Sequence, residues 1–426
     1  MDLNARTWQT LPAMQLIARR IRLNSIWLLL ARLITQVQLV IFTILVARRL
    51  GVAGFGQYAF VVAVIFLGNV VTTFGTDTLL IREVARHPAT NKELITTTIG
   101  LQLALSIVWV IVMVTSTGAL QQQPVEVVAA LKVYSLSLIP LAFFTSFTAV
   151  LRAHERMDLY LLLSAVVATL QLSGAWLVLQ ASGTLLALVI MLNVVQLVAA
   201  LFAGILCYLG LPGFRLNWNS AFRQTLRHQV VRVMRLAWPF ALLSVLAMIY
   251  QRLGVLMLST LGTETQTGWY AAAARVIEPV KMLHFAVLGA LLPALASLAT
   301  AEPLATRVFR RSLLFLVTIS AVLAVVISLL APAIVSELFG ADYAGAVPLI
   351  QILAVSLMPY TIAASWSVRL VTQGRERHIV WATALSLILA FTLNYWLIPS
   401  YGSIGTALTV VGSESLLAAA LLIARR

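Results

Sequence analysis

Five basic side chains, Arg32, Lys132, Arg252, Arg275 and Lys281, and two carboxylates, Glu278 and Glu414, stand inside long apolar stretches of this 426-residue sequence. A charge at the centre of a membrane helix costs about 2.5–3.5 kcal/mol on insertion scales, so such a residue normally faces protein or water and marks a pathway. The excess is cationic, which suits an anionic ligand, and a guanidinium offers a planar fork of donors matched to phosphate. Arg32 and Arg252 have no acidic residue within one helical turn, so both read as unpaired and as the stronger candidates for holding an anion. Arg275, Glu278 and Lys281 follow at i, i+3 and i+6, a spacing that lets Glu278 neutralise either neighbour locally. Glu414 is a lone carboxylate, readable as a proton site or as the partner of one of the arginines. Lys132 lies near the end of its apolar run and is expected to snorkel to the interface. Arg32, Arg252, Arg275 and Lys281 are therefore the candidate substrate-binding residues, with Glu278 and Glu414 as ion-pair or coupling groups.

Twelve apolar runs carry these residues: about 24–46, 57–76, 95–117, 127–151, 159–180, 184–208, 237–260, 268–298, 312–331, 345–368, 379–398 and 402–424. A helical span needs ~20 apolar residues at 1.5 Å each, which such runs supply. The composition agrees, with 61% hydrophobic and only 10% charged residues and a mean hydropathy of +0.98. The gaps alternate. Apart from the five buried cations, Lys and Arg sit at the N-terminus and in every second gap, while the other gaps hold only Arg48 and Arg49. The basic gaps belong on the cytoplasmic side, which places both termini there. The net charge of +15 thus follows membrane sidedness and forms no compact basic face, so nucleic acid is set aside as a partner.

Several chemistries are excluded. Cys207 is the single cysteine, so neither an internal disulfide nor a cysteine metal site is available. The five histidines lack metal-ligand spacing, and no Gly-rich Lys-Ser/Thr phosphate loop is present. No metal, cofactor or catalytic residue is expected. The outward gaps are short, such as Gln121-Gln122-Gln123-Pro124, Gln180-Ala181-Ser182-Gly183 and Pro399-Ser400-Tyr401-Gly402. They offer no paired carboxylates of the kind a membrane glycosyltransferase or polymerase would use.

The runs divide into halves. Leu50-Gly51 with Gly56-Gln57-Tyr58-Ala59 returns as Leu261-Gly262 with Gly268-Trp269-Tyr270-Ala271. Ser137-Leu138-Ile139-Pro140 returns as Ser356-Leu357-Met358-Pro359, 219 residues on, and Glu155-Arg156 as Glu376-Arg377, 221 on. Six spans per half is an even number, so the repeat is parallel, about an axis along the membrane normal. The expected fold is all-α and integral to the membrane, with twelve transmembrane helices in two six-helix lobes. Residues 1–23 form a cytoplasmic amphipathic segment, 24–209 the N-lobe, 210–236 a cytoplasmic linker with a Gly210-Leu211-Pro212-Gly213 turn, and 237–426 the C-lobe. Two such bundles enclosing a cleft give the alternating-access geometry of a transporter, with Pro140 and Pro359 kinking equivalent helices that line or hinge it.

Several stretches also resemble a known family. Arg48-Arg49-Leu50-Gly51-Val52-Ala53-Gly54-Phe55-Gly56-Gln57-Tyr58 resembles the junction after the first helix of polysaccharide flippases, within the multidrug/oligosaccharidyl-lipid/polysaccharide exporter superfamily. Gly75-Thr76-Asp77-Thr78 with Arg82-Glu83, Gly268-Trp269-Tyr270-Ala271-Ala272-Ala273-Ala274-Arg275, Leu338-Phe339-Gly340-Ala341-Asp342-Tyr343 and Ile398-Pro399-Ser400-Tyr401-Gly402-Ser403-Ile404-Gly405-Thr406-Ala407 are similar to further stretches. The resemblance implies export of a polyprenyl-pyrophosphate-linked oligosaccharide to the outer leaflet of the bacterial plasma membrane, through a cationic cavity that Arg275 lines. It implies membrane lipids, and a glycan polymerase or glycosyltransferases, as partners. Relatives commonly carry an acid shortly after the arginine of the seventh helix, whereas this chain reads Arg252-Leu253-Gly254. The nearest rival is a multidrug or cation antiporter of the same superfamily, which would favour buried carboxylates over buried cations.

Overall fold

A computed structural model describes residues 3–86, 92–116, 123–211, 214, 226–297 and 302–424. Gln121 and Gln122, Pro212 and Gly213 of the expected turn, and residues 215–225 of the expected linker lie outside this set, as do the side chains of the amphipathic segment. The described elements are α1 (Leu3–Thr73), α2 (Thr76–Arg86), α3 (Lys92–Thr115), α4 (Val125–Ser135), α5 (Leu138–Ala153), α6 (Met157–Ala181) and α7 (Leu185–Gly210). After these come α8 (Leu226–Leu261), α9 (Glu264–Ser297), α10 (Glu302–Leu338), α11 (Ala346–Val355), α12 (Leu357–Thr372) and α13 (Glu376–Ile423). No strand occurs among the described residues.

Eight of the described helices are long and apolar enough to cross a membrane, or nine if α4 and α5, bent by 42°, are one broken span. Large apolar side chains stay exposed along them, Leu329 and Trp381 each at 75%. A water-soluble fold would bury or avoid such surface. The chain is a multi-pass membrane protein. The twelve apolar runs do not become twelve separate elements. The first two share α1, which loses helical geometry at Gly51 (φ 68°), and the last two share α13, which loses it at Gly402 (φ 54°). Positive φ is cheap only without a Cβ, so each break falls on a glycine.

The runs containing Pro140 and Pro359 are interrupted just ahead of those residues. Ser137 N–H bonds the Tyr134 carbonyl at 3.0 Å, and Ser356 N–H bonds the Leu353 carbonyl at 3.1 Å, a tightened turn in both. A proline at 140 or 359 lacks an N–H and crowds the carbonyl four residues earlier, which is where each helix gives way. Other breaks recur at the same interval. Ser137 and Ser356 precede α5 and α12, Glu155 (φ 57°) and Gly374 (φ 68°) precede the caps of α6 and α13, and Gly183 (φ 61°) matches Gly402. Each pair is 219 residues apart. The sequence match of Glu155-Arg156 with Glu376-Arg377 is therefore two residues out of register: the backbone equivalent of Glu155 is Gly374, because a left-handed turn, not a charge, is what repeats.

The chain divides into two compact units. The first comprises Met1–Phe42, Ile65–Gln121 and Val128–Val245. Its core joins α2, α3, α5, α6 and α7 through Leu80, Ile99, Phe147, Leu163 and Cys207. Buried amide and hydroxyl groups pair between these helices. Gln102 Nε2 donates to Thr76 Oγ1 at 2.7 Å and Gln102 Oε1 accepts from Thr145 Oγ1 at 3.0 Å. Such bonds average about 0.6 kcal/mol in membrane bundles.

The second unit comprises Thr43–Val64, Gln122–Val127 and Leu246–Arg426. Phe309 and Trp366 meet edge to face at 4.9 Å in its core, between α10 and α12. Two stretches that the sequence presents as separate motifs interlock here. Arg48 donates to the carbonyls of Leu338, at 2.8 Å, and Glu337, placing a cation on the C-terminal end of α10. Tyr343 donates to the carbonyls of Ala47 and Gly51 at 2.9 and 3.1 Å, holding the break in α1.

Candidate functional site

Arg252 projects from α8, nine residues before its end, and Arg275, Glu278 and Lys281 from α9. All three α9 residues share a face, as their spacing requires. Glu278 is the hub. One carboxylate oxygen lies 2.9 Å from Arg275 Nη1 and the other 3.6 Å from Arg252 Nη1. Lys281, one turn further on, turns instead to Glu414 of α13, with Nζ 3.0 Å from Oε1 and 4.7 Å from the centre of the Tyr360 ring. Three cations thus meet two carboxylates, leaving one positive charge in excess when all are ionised.

This arrangement corrects the reading of Arg252 as unpaired. Its counter-ion comes from α9, 26 residues away in sequence, where a search along its own helix cannot find it. The missing acid after Arg252 also has a steric reason. A Cβ at Gly254 would sit 2.7 Å from the Tyr270 hydroxyl oxygen and 2.9 Å from Thr406 Cγ2. No larger residue fits there, so the negative charge is supplied across the α8–α9 contact. Glu414, for its part, is neither a lone carboxylate nor the partner of an arginine: it pairs with a lysine.

The two carboxylates differ in setting. Glu278 is 40% exposed and Glu414 only 5%. Ion pairs reached by solvent are worth about 0.2–1 kcal/mol. Removing one partner of a buried pair costs about 3–5 kcal/mol. By that measure Lys281–Glu414 is a fixed tie between α9 and α13, and Glu278 is the exchangeable member of the cluster. The phenols of Tyr58 and Tyr270 lie within electrostatic reach of Arg252, and Tyr250 and Tyr360 within reach of Glu414. None of these tyrosines stood out in the sequence, because a tyrosine in an apolar run looks like ordinary core.

The remaining candidates lie apart. Arg32 belongs to the first unit, on an exposed stretch of α1, and Lys132 is half-buried in the last turn of α4. His284 was also overlooked. It is 2% exposed one turn beyond Lys281, with Nε2 2.7 Å from Ser320 Oγ, which in turn lies 2.7 Å from Thr361 Oγ1. These contacts join α9, α10 and α12. A cavity of about 540 Å³ opens at the α8–α9 turn, lined by Thr263, Gln266, Tyr401 and Gly402, and includes none of the clustered charges.

Residues 21–299 match the family model described as polysaccharide biosynthesis protein. The chain belongs to that family. The matched region contains Arg32, Arg252, Arg275, Glu278 and Lys281, but not Glu414. No curated protein sequence gives a significant match. Among solved structures, the lipid II flippase MurJ in an inward closed conformation aligns with a TM-score of 0.75 at 14% identity, over 95% of this chain and 87% of that chain. An inward-facing multidrug resistance MATE family transporter of the MOP superfamily aligns at 0.69 and 16% identity, over 92% and 94%. A MOP superfamily transporter from Pyrococcus furiosus aligns at 0.62 and 14%, over 95% and 94%. This member of the polysaccharide biosynthesis family therefore has the MOP-superfamily fold.

Proposed function

We propose that the protein is a flippase that moves a polyprenyl-pyrophosphate-linked oligosaccharide from the inner to the outer leaflet by alternating access. The observation that carries this reading is the cluster itself: two arginines and a lysine held among apolar helices, in excess over their carboxylates, in a chain of the polysaccharide biosynthesis family. The diphosphate bears the cargo's charge, and two guanidinium forks on adjacent helices can grip it from two directions. Splitting α1 at Gly51 and α13 at Gly402, and counting α4 with α5 and α11 with α12, gives twelve crossings with both ends cytoplasmic. The setting is the bacterial plasma membrane, and the partners are the enzymes that build the glycan and the polymerase that receives it. No bond is made or broken in this process, so the protein acts as a carrier, not an enzyme.

The multidrug antiporter reading draws on the same fold, since a MATE transporter aligns over nearly the whole chain. The sign of the cluster favours the anion, because a cationic drug would meet an excess of positive charge. The test is glycan export in a complementation assay with Arg252→Ala and Arg275→Ala. A charge-assisted hydrogen bond is worth about 1.5–3 kcal/mol, so each variant should lower export about 10–100-fold while the protein still accumulates in the membrane. Undiminished export by both variants would count against the reading.

A further inference from the structure

Glu278 stands where a cargo anion would have to stand. Its two oxygens face the same two guanidiniums, Arg275 at 2.9 Å and Arg252 at 3.6 Å, that the preceding proposal assigns to the diphosphate. Neither arginine can present its fork to a second anion while that carboxylate occupies it, because the donor edge is already taken. The carboxylate is also the solvent-reached one of the pair, 40% exposed against 5% for Glu414. It rides on α9 beside Arg275 and can swing away without any movement of the backbone.

We infer that Glu278 is a resident counter-ion that holds Arg252 and Arg275 in the empty transporter and is displaced by the phosphate groups of the cargo. The inference rests on the flippase reading and adds a regulatory role to it. The carboxylate keeps two buried arginines neutralised when no cargo is bound, sparing the apolar helices an uncompensated charge. It then returns to compete with the bound anion, and so favours release. The fixed Lys281–Glu414 pair leaves one turn of α9 anchored while Glu278 exchanges. In this role Glu278 positions the arginines and sets their availability; it does not itself hold the cargo.

Inorganic pyrophosphate is the probe. It is titrated into the purified full-length protein in detergent at low ionic strength, with wild type, Glu278→Gln, Glu278→Asp and an Arg252→Ala, Arg275→Ala double variant. Glu278→Gln keeps the shape of the side chain but loses the competing charge, so pyrophosphate should bind on the order of tenfold more tightly than to wild type. Glu278→Asp keeps the charge and should stay within a few-fold of wild type, which separates charge from packing. Vesicles containing Glu278→Gln should flip lipid-linked glycan more slowly at saturating cargo, because release has lost its competitor. If wild type binds pyrophosphate through the arginines but Glu278→Gln binds equally or less tightly, the counter-ion role is overturned and the flippase reading stands. If no variant shows arginine-dependent binding, both fall.

Discussion

Arg252 and Arg275 share one carboxylate, and that sharing sets what each substitution should do. Replacing Arg275 by Lys keeps the charge but loses the planar fork, so export should recover only in part relative to Arg275→Ala. Lys132→Ala, in contrast, should leave export within about twofold of wild type, since a chain one turn from a run's end can snorkel and lies in the other unit. Both are read in the same complementation assay, with membrane protein level as control. The residue types at the site were legible in the sequence, because a charge in an apolar run is conspicuous and its cost is known. Their pairing was not. Local spacing found Arg275 with Glu278, whereas Arg252 with Glu278 and Lys281 with Glu414 join different helices, and a pattern along one helix carries no information about which neighbour will face it.

Helices in this chain are defined as much by their breaks as by their apolar runs. Hydropathy located the runs, since a span must be long and apolar, but it could not say that two pairs of runs would be joined through single glycines. Gly51 and Gly402 hold positive φ, so Gly402→Val should strain the backbone by about 1–2 kcal/mol or more and lower the thermal midpoint of the purified protein. An unchanged midpoint would mean that the turn tolerates a Cβ. The 219-residue interval shows a related lesson. Pro140 and Pro359 marked equivalent helices correctly, because a proline acts on the backbone wherever it stands. Glu155 and Glu376 shared a letter but not a role: the repeating property there is a left-handed turn, which Gly374 adopts at little cost and Glu155 adopts under strain.

At the scale of the whole molecule, the distribution of Lys and Arg predicts sidedness. A reporter fused after Arg426, or inserted within 216–235, should report from the cytoplasm, and one within 121–124 from outside. An external signal from either of the first two would overturn the proposed orientation. The family and the fold narrow the activity to transport across a bilayer, and the charge cluster supplies the reason to favour an anionic lipid as cargo. The most direct measurement uses purified protein in vesicles loaded with polyprenyl-pyrophosphate-linked oligosaccharide, following the glycan that becomes accessible on the opposite leaflet. Wild type should move it, and the Arg252→Ala, Arg275→Ala double variant should fall to the rate of protein-free vesicles. Movement by the double variant at the wild-type rate would contradict the account and leave those arginines as structural ion partners.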